Sequence, residues 1–404
     1  MTSLSPYYLH SMDLRSLPPA LDALQRVNAR RTMIEQELGV DCSSLAVNAS
    51  TLGHSEEKNC ENMFGAVPIP VGLAGPVTFT LSSGTETTVH LPLATTEGAL
   101  VASVNRGCKA LSLSVSADAS DGSKGVRTSS IYHGVTRSIA LRIADSASKI
   151  SDWIRAHEHS WKAVGESTSS HLKIVSYDID EADGHVFLTI AADTDEAMGM
   201  NMVTIAAQAI GEWMQKHQPS CTLVTVAGNV DSDKKPSKRT HDRGRGYEVS
   251  AACHLSSAVI RDVLKATPEA MLEVANAKLK AGSKIAGSIG SNLHAANIIA
   301  ALYLATGQDA AHVVEGSMAD TTVEPLPDGV RISVRLPALL LGIRGGGTTL
   351  PAQARCLDIL FGKHIHTPRH LAEIIAAAVL AGEISLLAAQ ASHTLAKAHR
   401  ALGR

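Results

Sequence analysis

Residues 172–191 read LKIVSYDIDEADGHVFLTIA, two apolar, β-branched runs joined by Asp183-Gly184. An Asp-Gly pair between such runs predicts a β-hairpin, because both turn residues tolerate positive φ. Around this hairpin we predict a strand at 129–136, a helix at 139–158, a helix at 197–217 and a strand at 221–227. The resulting β-α-β-β-α-β order is typical of a ferredoxin-like sandwich of about 95 residues.

The sequence on either side of this unit predicts a larger domain. Apolar residues at helical spacing indicate helices at 17–39, 256–265, 268–284, 295–306, 351–361 and from 368 to about 401, with strands at 247–254 and 331–336 and an exposed loop at 112–128. We therefore predict an α+β fold with three parts. These are an N-terminal helical segment (1–55), a large mixed helical/β domain (56–136 and 228–404) and an inserted small ferredoxin-like domain (137–227).

Composition excludes several classes of protein. The 404 residues are 45% hydrophobic and 19% charged with a net charge of -3, which is typical of a globular enzyme and indicates no nucleic-acid surface. Six scattered cysteines have no zinc-type spacing, so we expect free thiols, no metal and a cytoplasmic location. No signal peptide is recognisable. The apolar stretch 371–391 contains Glu373 and Glu383, and we expect it to be too charged to span a membrane.

The run GNVDSDKKP at 228–236 places two adjacent lysines beside carboxylates. Adjacent ammonium groups repel, so an anionic ligand or a developing oxyanion against them would stabilise the cluster. Taken alone, such a run is more often a solvated turn. Three further dense segments favour a functional site: TTEGALVAS at 95–103, EAMGMNM at 196–202 and GSIGSNLHAAN at 287–297.

Each candidate residue also has an ordinary structural explanation. Glu97 lies among small apolar residues, where it could be an acid with a raised pKa or a carboxylate at a helix N-terminus. Asp309 follows an apolar helix and His399 adjoins Arg400, positions typical of a cap and of a surface histidine. Segments 196–202 and 345–348 could bring amides to an anion or cofactor, or form core packing and a turn. No G-x-G-x-x-G follows a strand, so a Rossmann site is not supported.

Together these segments closely resemble the 3-hydroxy-3-methylglutaryl-CoA (HMG-CoA) reductases, and the eukaryote-like class more than the bacterial NADH-using class. The matching segments are 61–76, 95–109, 197–202, 228–236, 287–297, 307–311, 345–348 and 383–399. The resemblance implies a four-electron reduction of HMG-CoA to mevalonate and CoA by two hydride transfers, in isoprenoid biosynthesis. It implies NADPH as the cofactor, with NADH as an alternative, bound by the small domain, and HMG-CoA bound by the large one.

The resemblance implies four catalytic roles. Lys234 resembles the ammonium that stabilises the thioester oxyanion, and Glu97 the acid that protonates the carbonyl oxygen of the aldehyde intermediate. Asp309 resembles the carboxylate that couples these two groups, and His399 the residue that protonates the departing CoA thiolate. No serine follows His399 in residues 400–404, so we expect no inhibitory phosphorylation there.

The resemblance also implies binding residues and an assembly. The residues implied for the HMG carboxylate and hydroxyl are Arg137, Asp233, Lys235, Lys278 and Asn297. Those implied for the CoA phosphates are Arg106, Lys109 and Lys265. Those implied for the cofactor are Ser169, Ser170, Glu196, Met198, Gly199, Met200, Asn201, Gly345, Gly346, Gly347 and Thr348. The family's site lies between subunits, with Glu61-Asn62 at the contact, so we expect a homodimer or a dimer of dimers.

Three positions depart from the family's pattern. Ala227 stands where a serine contacts HMG, and Glu196 replaces an aspartate. Ser170 stands where an arginine reads the 2′-phosphate of the cofactor, and we hypothesise that Arg344 substitutes for it.

Two other functions stay open. One is a silent CoA-binding paralogue, against which the joint presence of Glu97, Lys234, Asp309 and His399 argues. The other is a dehydrogenase for a different 3-hydroxyacyl thioester, which Ala227 leaves possible.

Overall fold

The computed structural model of the protein describes residues 13–115, 125–144, 146–362 and 366–393. The strands are β1 (Val71–Thr80), β2 (Glu86–Ala94), β3 (Val126–Ile143), β4 (Lys173–Ala182), β5 (His185–Asp193), β6 (Cys221–Thr225), β7 (Gly246–Ser256), β8 (Asp320–Leu326) and β9 (Gly329–Leu339). The α-helices are α1 (Ala23–Leu38), α2 (Ala49–Leu52), α3 (Ser55–Lys58), α4 (Leu100–Ser112), α5 (Ala147–Ala156), α6 (Glu158–Glu166), α7 (Met200–His217), α8 (Lys238–Arg243), α9 (Ser257–Val259), α10 (Pro268–Ala275), α11 (Ser283–Ala286), α12 (Ala295–Thr306), α13 (Val313–Gly316), α14 (Pro351–Phe361) and α15 (Pro368–Ala391).

One long strand, β3, belongs to two sheets. Its first half pairs with β7 and, through a short parallel contact, with β1, in a sheet of order β2-β1-β3-β7-β9-β8. Its second half pairs antiparallel with β5 and β6, in a sheet of order β6-β3-β5-β4. Gly134 lies where the pairing changes, with φ of 82°, and a Cβ there would approach the backbone of Ala192 to 3.1 Å. The strand therefore carries the chain directly from one sheet into the other.

The structure corrects the prediction of a helix over 139–158. Residues up to Ile143 continue β3, and α5 begins only at Ala147. Ile139 and Leu141 are completely buried. A short apolar run has no periodicity that separates a buried strand from a helix, and here the pairing with β5 and β6 decides in favour of the strand.

The second sheet confirms the predicted β-α-β-β-α-β order. Strands β4 and β5 form the hairpin, with Asp183 and Gly184 at φ of 49° and 74° as a type I′ turn requires. Helix α7 lies where a helix was predicted at 197–217, whereas α5 covers only the second half of the helix predicted at 139–158 and α6 was not predicted. All three helices share a buried core with this sheet. The strand order β6-β3-β5-β4 is that of a ferredoxin-like sandwich. Domain bounds at residues 137 and 227 stay a prediction, because β3 crosses the first without interruption.

The apolar helix α15 is the centre of the larger hydrophobic core. It contacts α4, α10, α12 and strands β7 and β9. We expected Glu373 and Glu383 to make this segment too charged to span a membrane, and this reason was wrong. Among the described helices it alone is long and apolar enough to cross a membrane, with 94% of the relevant window buried inside the protein. Buried Glu373 is satisfied within the fold, since it accepts hydrogen bonds from the hydroxyls of Ser82 (2.5 Å) and Thr128 (2.7 Å). These features are typical of a core helix.

The other predicted helices differ from the observed ones mainly in the residues at which they begin and end. Helix α1 begins at Ala23 instead of residue 17, because Asp22 and Gln25 form a capping box there. Helices α12 and α14 have the predicted bounds. The helix predicted at 268–284 is continuous, but its middle, Asn276–Gly282, is π-helical. Of the loop predicted at 112–128, residues 116–124 lie outside the described ranges, and β3 already begins at Val126.

The contact between α4 and α15 gives a test of the packing. A Cβ added at Gly107 would lie 1.9 Å from the carbonyl oxygen of Ala381. We expect Gly107→Ala to lower the free energy of unfolding by about 1–3 kcal/mol, since backbone must move to admit the methyl group. Gly282→Ala is the control, because its added Cβ would meet only the carbonyl oxygen of Ala277, at 3.3 Å. Urea unfolding of both variants checks this, and equal stability would contradict the close packing.

Candidate functional site

An exposed lysine and a half-exposed aspartate form the nucleus of the site. The Nζ of Lys234 lies 2.8 Å from Oδ2 of Asp309, and the two side chains are 42% and 36% exposed. Lys234 lies between β6 and α8 with φ of 58°, and Asp309 follows α12, where its Oδ1 accepts a hydrogen bond from the amide of Ala311. The predicted association of Lys234 with Asp309 is therefore present in the single chain.

A buried network of charges lies behind this pair. His312 is completely buried, with Nε2 3.6 Å from Asp309 Oδ2 and Nδ1 2.8 Å from Oε1 of Glu315. The same Glu315 oxygen accepts from the guanidinium of Arg245 (2.8 Å) and from the backbone N–H of Lys234 (3.2 Å). Arg245 also donates to Asp233 Oδ1 at 3.1 Å. The surface lysine is thus connected to a series of alternating buried charges.

The charges of this network set the pKa values of its aspartates. Burial alone would raise the pKa of Asp309, but the hydrogen bonds from Lys234 and the amide of Ala311 outweigh it and lower the pKa. The pKa of Asp233 is lowered in the same way, since the charge and hydrogen bond of Arg245 exceed the effect of burial. Asp231 is buried, with Oδ2 3.9 Å from the guanidinium of Arg245, and its burial outweighs the charge of this arginine and raises its pKa. The lysine therefore faces an ionised Asp309 at neutral pH.

Glu97 does not lie in the apolar surroundings expected for it. Residues 96–98 are exposed, and Ala99 has φ of 72° at the start of α4. Within the described chain the Glu97 carboxylate makes no hydrogen bond or ion pair, while its backbone N–H donates to the hydroxyl of Thr95 at 3.0 Å. The expected burial was wrong for the single chain, because small neighbouring side chains indicate close packing only where another element covers them.

Three of the five residues expected to bind HMG, Arg137, Asp233 and Lys235, contact one another beside the network. Arg137 NH1 lies 3.3 Å from Asp233 Oδ2, on the strand β3 that leads into the second sheet. Lys235 is exposed and donates to the carbonyl oxygen of Asp233 at 3.0 Å. Lys278 and Asn297 are half-buried, and neither side chain has a polar contact within the described ranges. The structure therefore brings Arg137, Asp233 and Lys235 together with Lys234.

Within the described residues, no contact brings the residues expected to bind CoA phosphates together at one point. The guanidinium of Arg106 donates to the hydroxyl (3.0 Å) and carbonyl (2.7 Å) oxygens of Ser385, and burial lowers its pKa. This contact holds α4 against α15 and uses donors that a phosphate would need. Lys109 is exposed, and Lys265 is exposed with its Nζ 2.7 Å from the carbonyl oxygen of Asp262.

Two of the segments expected to bind the cofactor pair with each other. The N–H of Ile343 donates to the carbonyl oxygen of Glu196 at 2.8 Å, and the side chains of Glu196 and Arg344 form an ion pair. A Cβ on Gly342 would lie 2.3 Å from the amide nitrogen of Met198, so the backbones touch here. Beside them is a cleft of about 310 Å³ whose lining includes Glu196, Arg344 and Thr348.

The other glycines have distinct roles in this region. Gly199 has φ of 86° at the N-terminus of α7, and a Cβ there would collide with Thr194. Gly347 packs against the backbone of Gly307, just before Asp309, whereas a Cβ on Gly345 or Gly346 would meet nothing within 4 Å. The loop 345–348 therefore has one packed end and one open end. Met200 lies between the two parts of the site, since its sulfur accepts from Arg245 at 3.3 Å.

The remaining cofactor candidates are at the surface. Asn201 and Ser170 are exposed, and the half-buried Ser169 accepts a hydrogen bond from the amide of His171. Arg344 is 76% exposed and paired with Glu196. No contact in the described structure joins Arg344 to Ser170, so its role as a substitute at the 2′-phosphate stays a hypothesis.

Sequence reasoning missed Arg245, His312 and Glu315. The three missed residues lie outside the segments that the sequence analysis selected, such as 228–236 and 307–311. His312 and Glu315 nevertheless follow Asp309 at helical spacing. That spacing was the available signal, because residues three apart face the same side of a turn. His399 lies outside the described residues.

Comparisons with known proteins give a consistent result. The model of the hydroxymethylglutaryl-coenzyme A reductase family matches residues 26–404. A 3-hydroxy-3-methylglutaryl-coenzyme A reductase of Halobacterium salinarum is 42% identical, over 97% of this chain and 96% of its own. That of Methanocaldococcus jannaschii is 40% identical, over 93% and 92%. The class II enzyme of Streptococcus pneumoniae, solved with NADPH in open conformations, has a similar fold, with a TM-score of 0.65, 18% identity and coverage of 90% and 96%.

Proposed function

Since the chain belongs to the hydroxymethylglutaryl-coenzyme A reductase family, an oxidoreductase family of the mevalonate pathway, we propose that Lys234 and Asp309 form the centre at which it reduces HMG-CoA to mevalonate. The observation that carries this proposal is their 2.8 Å ion pair, which is open to solvent on one side and tied to buried charges on the other. An ammonium held in this way is placed to receive negative charge that develops on a substrate oxygen.

The overall reaction takes up two hydrides and two protons per thioester. NAD(P)H supplies the hydrides, one from each of two cofactor molecules. After the first transfer, Lys234 stabilises the oxyanion on the former thioester carbonyl, and its collapse releases CoA thiolate and leaves an aldehyde. His399 protonates the thiolate, which prevents its return to the aldehyde. After the second transfer, Glu97 delivers the proton that completes the alcohol.

The segments 196–201 and 342–348 fit a dinucleotide. The 18-residue helix α7 begins after Gly199 with no side-chain cap in the described structure, so its first amides are available to an anion. Gly345 and Gly346 leave open space beside the adjoining cleft. We assign Glu196, Met198, Met200 and Asn201, with Thr348, to this cofactor site. NADPH is the expected cofactor by similarity to the solved Streptococcus enzyme, with NADH as the alternative because Ser170 replaces the family's arginine.

We place the complete site between two subunits of a homodimer or a dimer of dimers. The exposed Glu97 supports this, because an acid that acts on the aldehyde needs neighbours that the described part of this chain does not give it. Within the described residues, the side chains of Lys278, Asn297 and the CoA-phosphate candidate Lys109 likewise have no polar contact. The unpaired cysteines support a reducing, cytoplasmic location.

Initial rates with several thioesters test the substrate. The purified protein should oxidise NADPH or NADH with HMG-CoA at least about tenfold faster than with 3-hydroxyacyl-CoA esters that lack its free carboxylate, since these esters cannot form the charge contacts assigned to Arg137 and Lys235. Comparable rates with both substrates would favour the alternative dehydrogenase, and the absence of oxidation with every thioester would favour the silent paralogue.

The role of His399 gives a separate prediction. We expect His399→Gln to lower the rate of HMG-CoA reduction by about 10²-fold, the usual contribution of a general acid. Reduction of added mevaldehyde should stay within about threefold of the wild type, because this half-reaction releases no thiolate. Equal loss on both substrates would contradict the assignment.

A further inference from the structure

The buried histidine next to the catalytic pair has no role in the reaction described so far. The ring of His312 lies between two carboxylates, with Nε2 3.6 Å from Asp309 and Nδ1 2.8 Å from Glu315. Glu315 is itself completely buried. Two buried ionisable groups so close to a reactive centre need a structural or chemical reason, because burying them without partners would be unfavourable.

The carboxylate of Glu315 holds Lys234 by its backbone. Its Oε1 accepts from the N–H of Lys234 at 3.2 Å and from Arg245 at 2.8 Å. Lys234 has a positive φ of 58°, which is uncommon for a lysine and persists where the surroundings fix it. Glu315 therefore fixes the backbone of Lys234, the residue that carries the ammonium of the pair.

The imidazole of His312 lies between Glu315, which fixes the backbone of Lys234, and Asp309, which pairs with its ammonium. Since Oε1 of Glu315 already accepts from Arg245 and from the N–H of Lys234, we assign the hydrogen between it and the ring to Nδ1. The opposite nitrogen, Nε2, makes no hydrogen bond within the described structure and lies 3.6 Å from Asp309 Oδ2, the atom that pairs with Lys234. The ring thus hydrogen-bonds the carboxylate that holds the lysine backbone and lies against the carboxylate that holds its ammonium.

We propose that His312 is a positioning residue of the reductase site. Together with Glu315 it holds the carboxylate of Asp309 at the ammonium of Lys234. This inference rests on the proposed function of Lys234. A metal ion held by Asp233, His312 and Glu315, whose ligand atoms lie within 4.8 Å of one another, is not the explanation. Arg245 already pairs with both carboxylates of that group.

Two variants of His312 with amide side chains distinguish a positioning role of the imidazole from a role that only fills space. A glutamine at 312 places an amide near the position of Nε2, towards Asp309, and an asparagine places one near Nδ1, towards Glu315. We expect His312→Asn to lower kcat by about tenfold or more with the KM for HMG-CoA within about threefold, because misplacement of a reacting group affects the chemical step. His312→Gln should recover most of the kcat.

The control is His241→Asn, which removes a half-buried histidine that pairs with Asp320 at 2.8 Å and should leave kcat unchanged. Thermal unfolding and NADPH binding followed by fluorescence show whether each variant is folded. Equal kcat in the two His312 variants, whether near the wild type or equally reduced, would overturn the positioning role. An inactive wild-type enzyme would instead overturn the proposed function, and this inference with it.

Discussion

Replacing Lys234 by alanine is expected to lower the kcat of HMG-CoA reduction by about 10²–10³-fold, the loss typical of removing one oxyanion donor. The ammonium lies 2.8 Å from Asp309 and reaches the surface, where it can meet the substrate oxygen. Its interaction strengthens as negative charge develops, so the KM for HMG-CoA should change by less than about tenfold. Steady-state kinetics with saturating NADPH measure both constants.

The neighbouring lysine is the matched control for this variant. Lys235 has the same charge and is also exposed, but its Nζ contacts only the carbonyl oxygen of Asp233 within the described structure. Lys235→Ala should therefore raise KM more than it lowers kcat, because its assigned partner is the unreacting HMG carboxylate. If both variants lost kcat to the same extent, the distinct role of Lys234 would be refuted.

Replacing Arg245 by methionine is expected to lower the free energy of unfolding by about 3–5 kcal/mol, the effect of removing one member of a buried ion pair. The guanidinium is 1% exposed and pairs with Glu315 and Asp233. It also donates to the hydroxyl of Thr136 at 2.8 Å. Without it, the buried carboxylate of Glu315 and the half-buried carboxylate of Asp233 have too few donors. Urea unfolding followed by circular dichroism measures the change.

An exposed arginine on the preceding turn serves as the control. Arg243 pairs with Asp178 at 2.9 Å, and the two side chains are 57% and 55% exposed. Since solvent screens such pairs, Arg243→Met should change the free energy of unfolding by no more than about 1 kcal/mol. Equal effects of the two replacements would contradict the assignment of Arg245 as the central cation of the buried network.

Local sequence signals predicted those parts of the fold that depend on local structure. The Asp183-Gly184 turn and helices α12 and α14 were predictable, because turn conformation and helical periodicity are properties of short segments. The continuation of β3 through Ile139 and Leu141 was not, since only pairing with β5 and β6, distant in sequence, decides it.

The site shows the same division. Lys234 and Asp309 were identified through their motifs, and their contact is present in the chain. The network of Arg245, His312 and Glu315 escaped prediction, because a polar residue in sequence does not reveal whether the fold will bury it beside a partner. The exposure of Glu97 likewise depends on what covers it, and no local pattern contains that information.

The ratio of cofactor oxidised to CoA released tests the central claim most directly. With limiting HMG-CoA and excess NADPH, absorbance gives the cofactor consumed and a thiol reagent gives the free CoA. The site described here predicts two cofactor molecules per thiol, with mevalonate as the product. A ratio of one, with accumulation of the aldehyde, or no cofactor oxidation by folded protein with either NADPH or NADH, would contradict it.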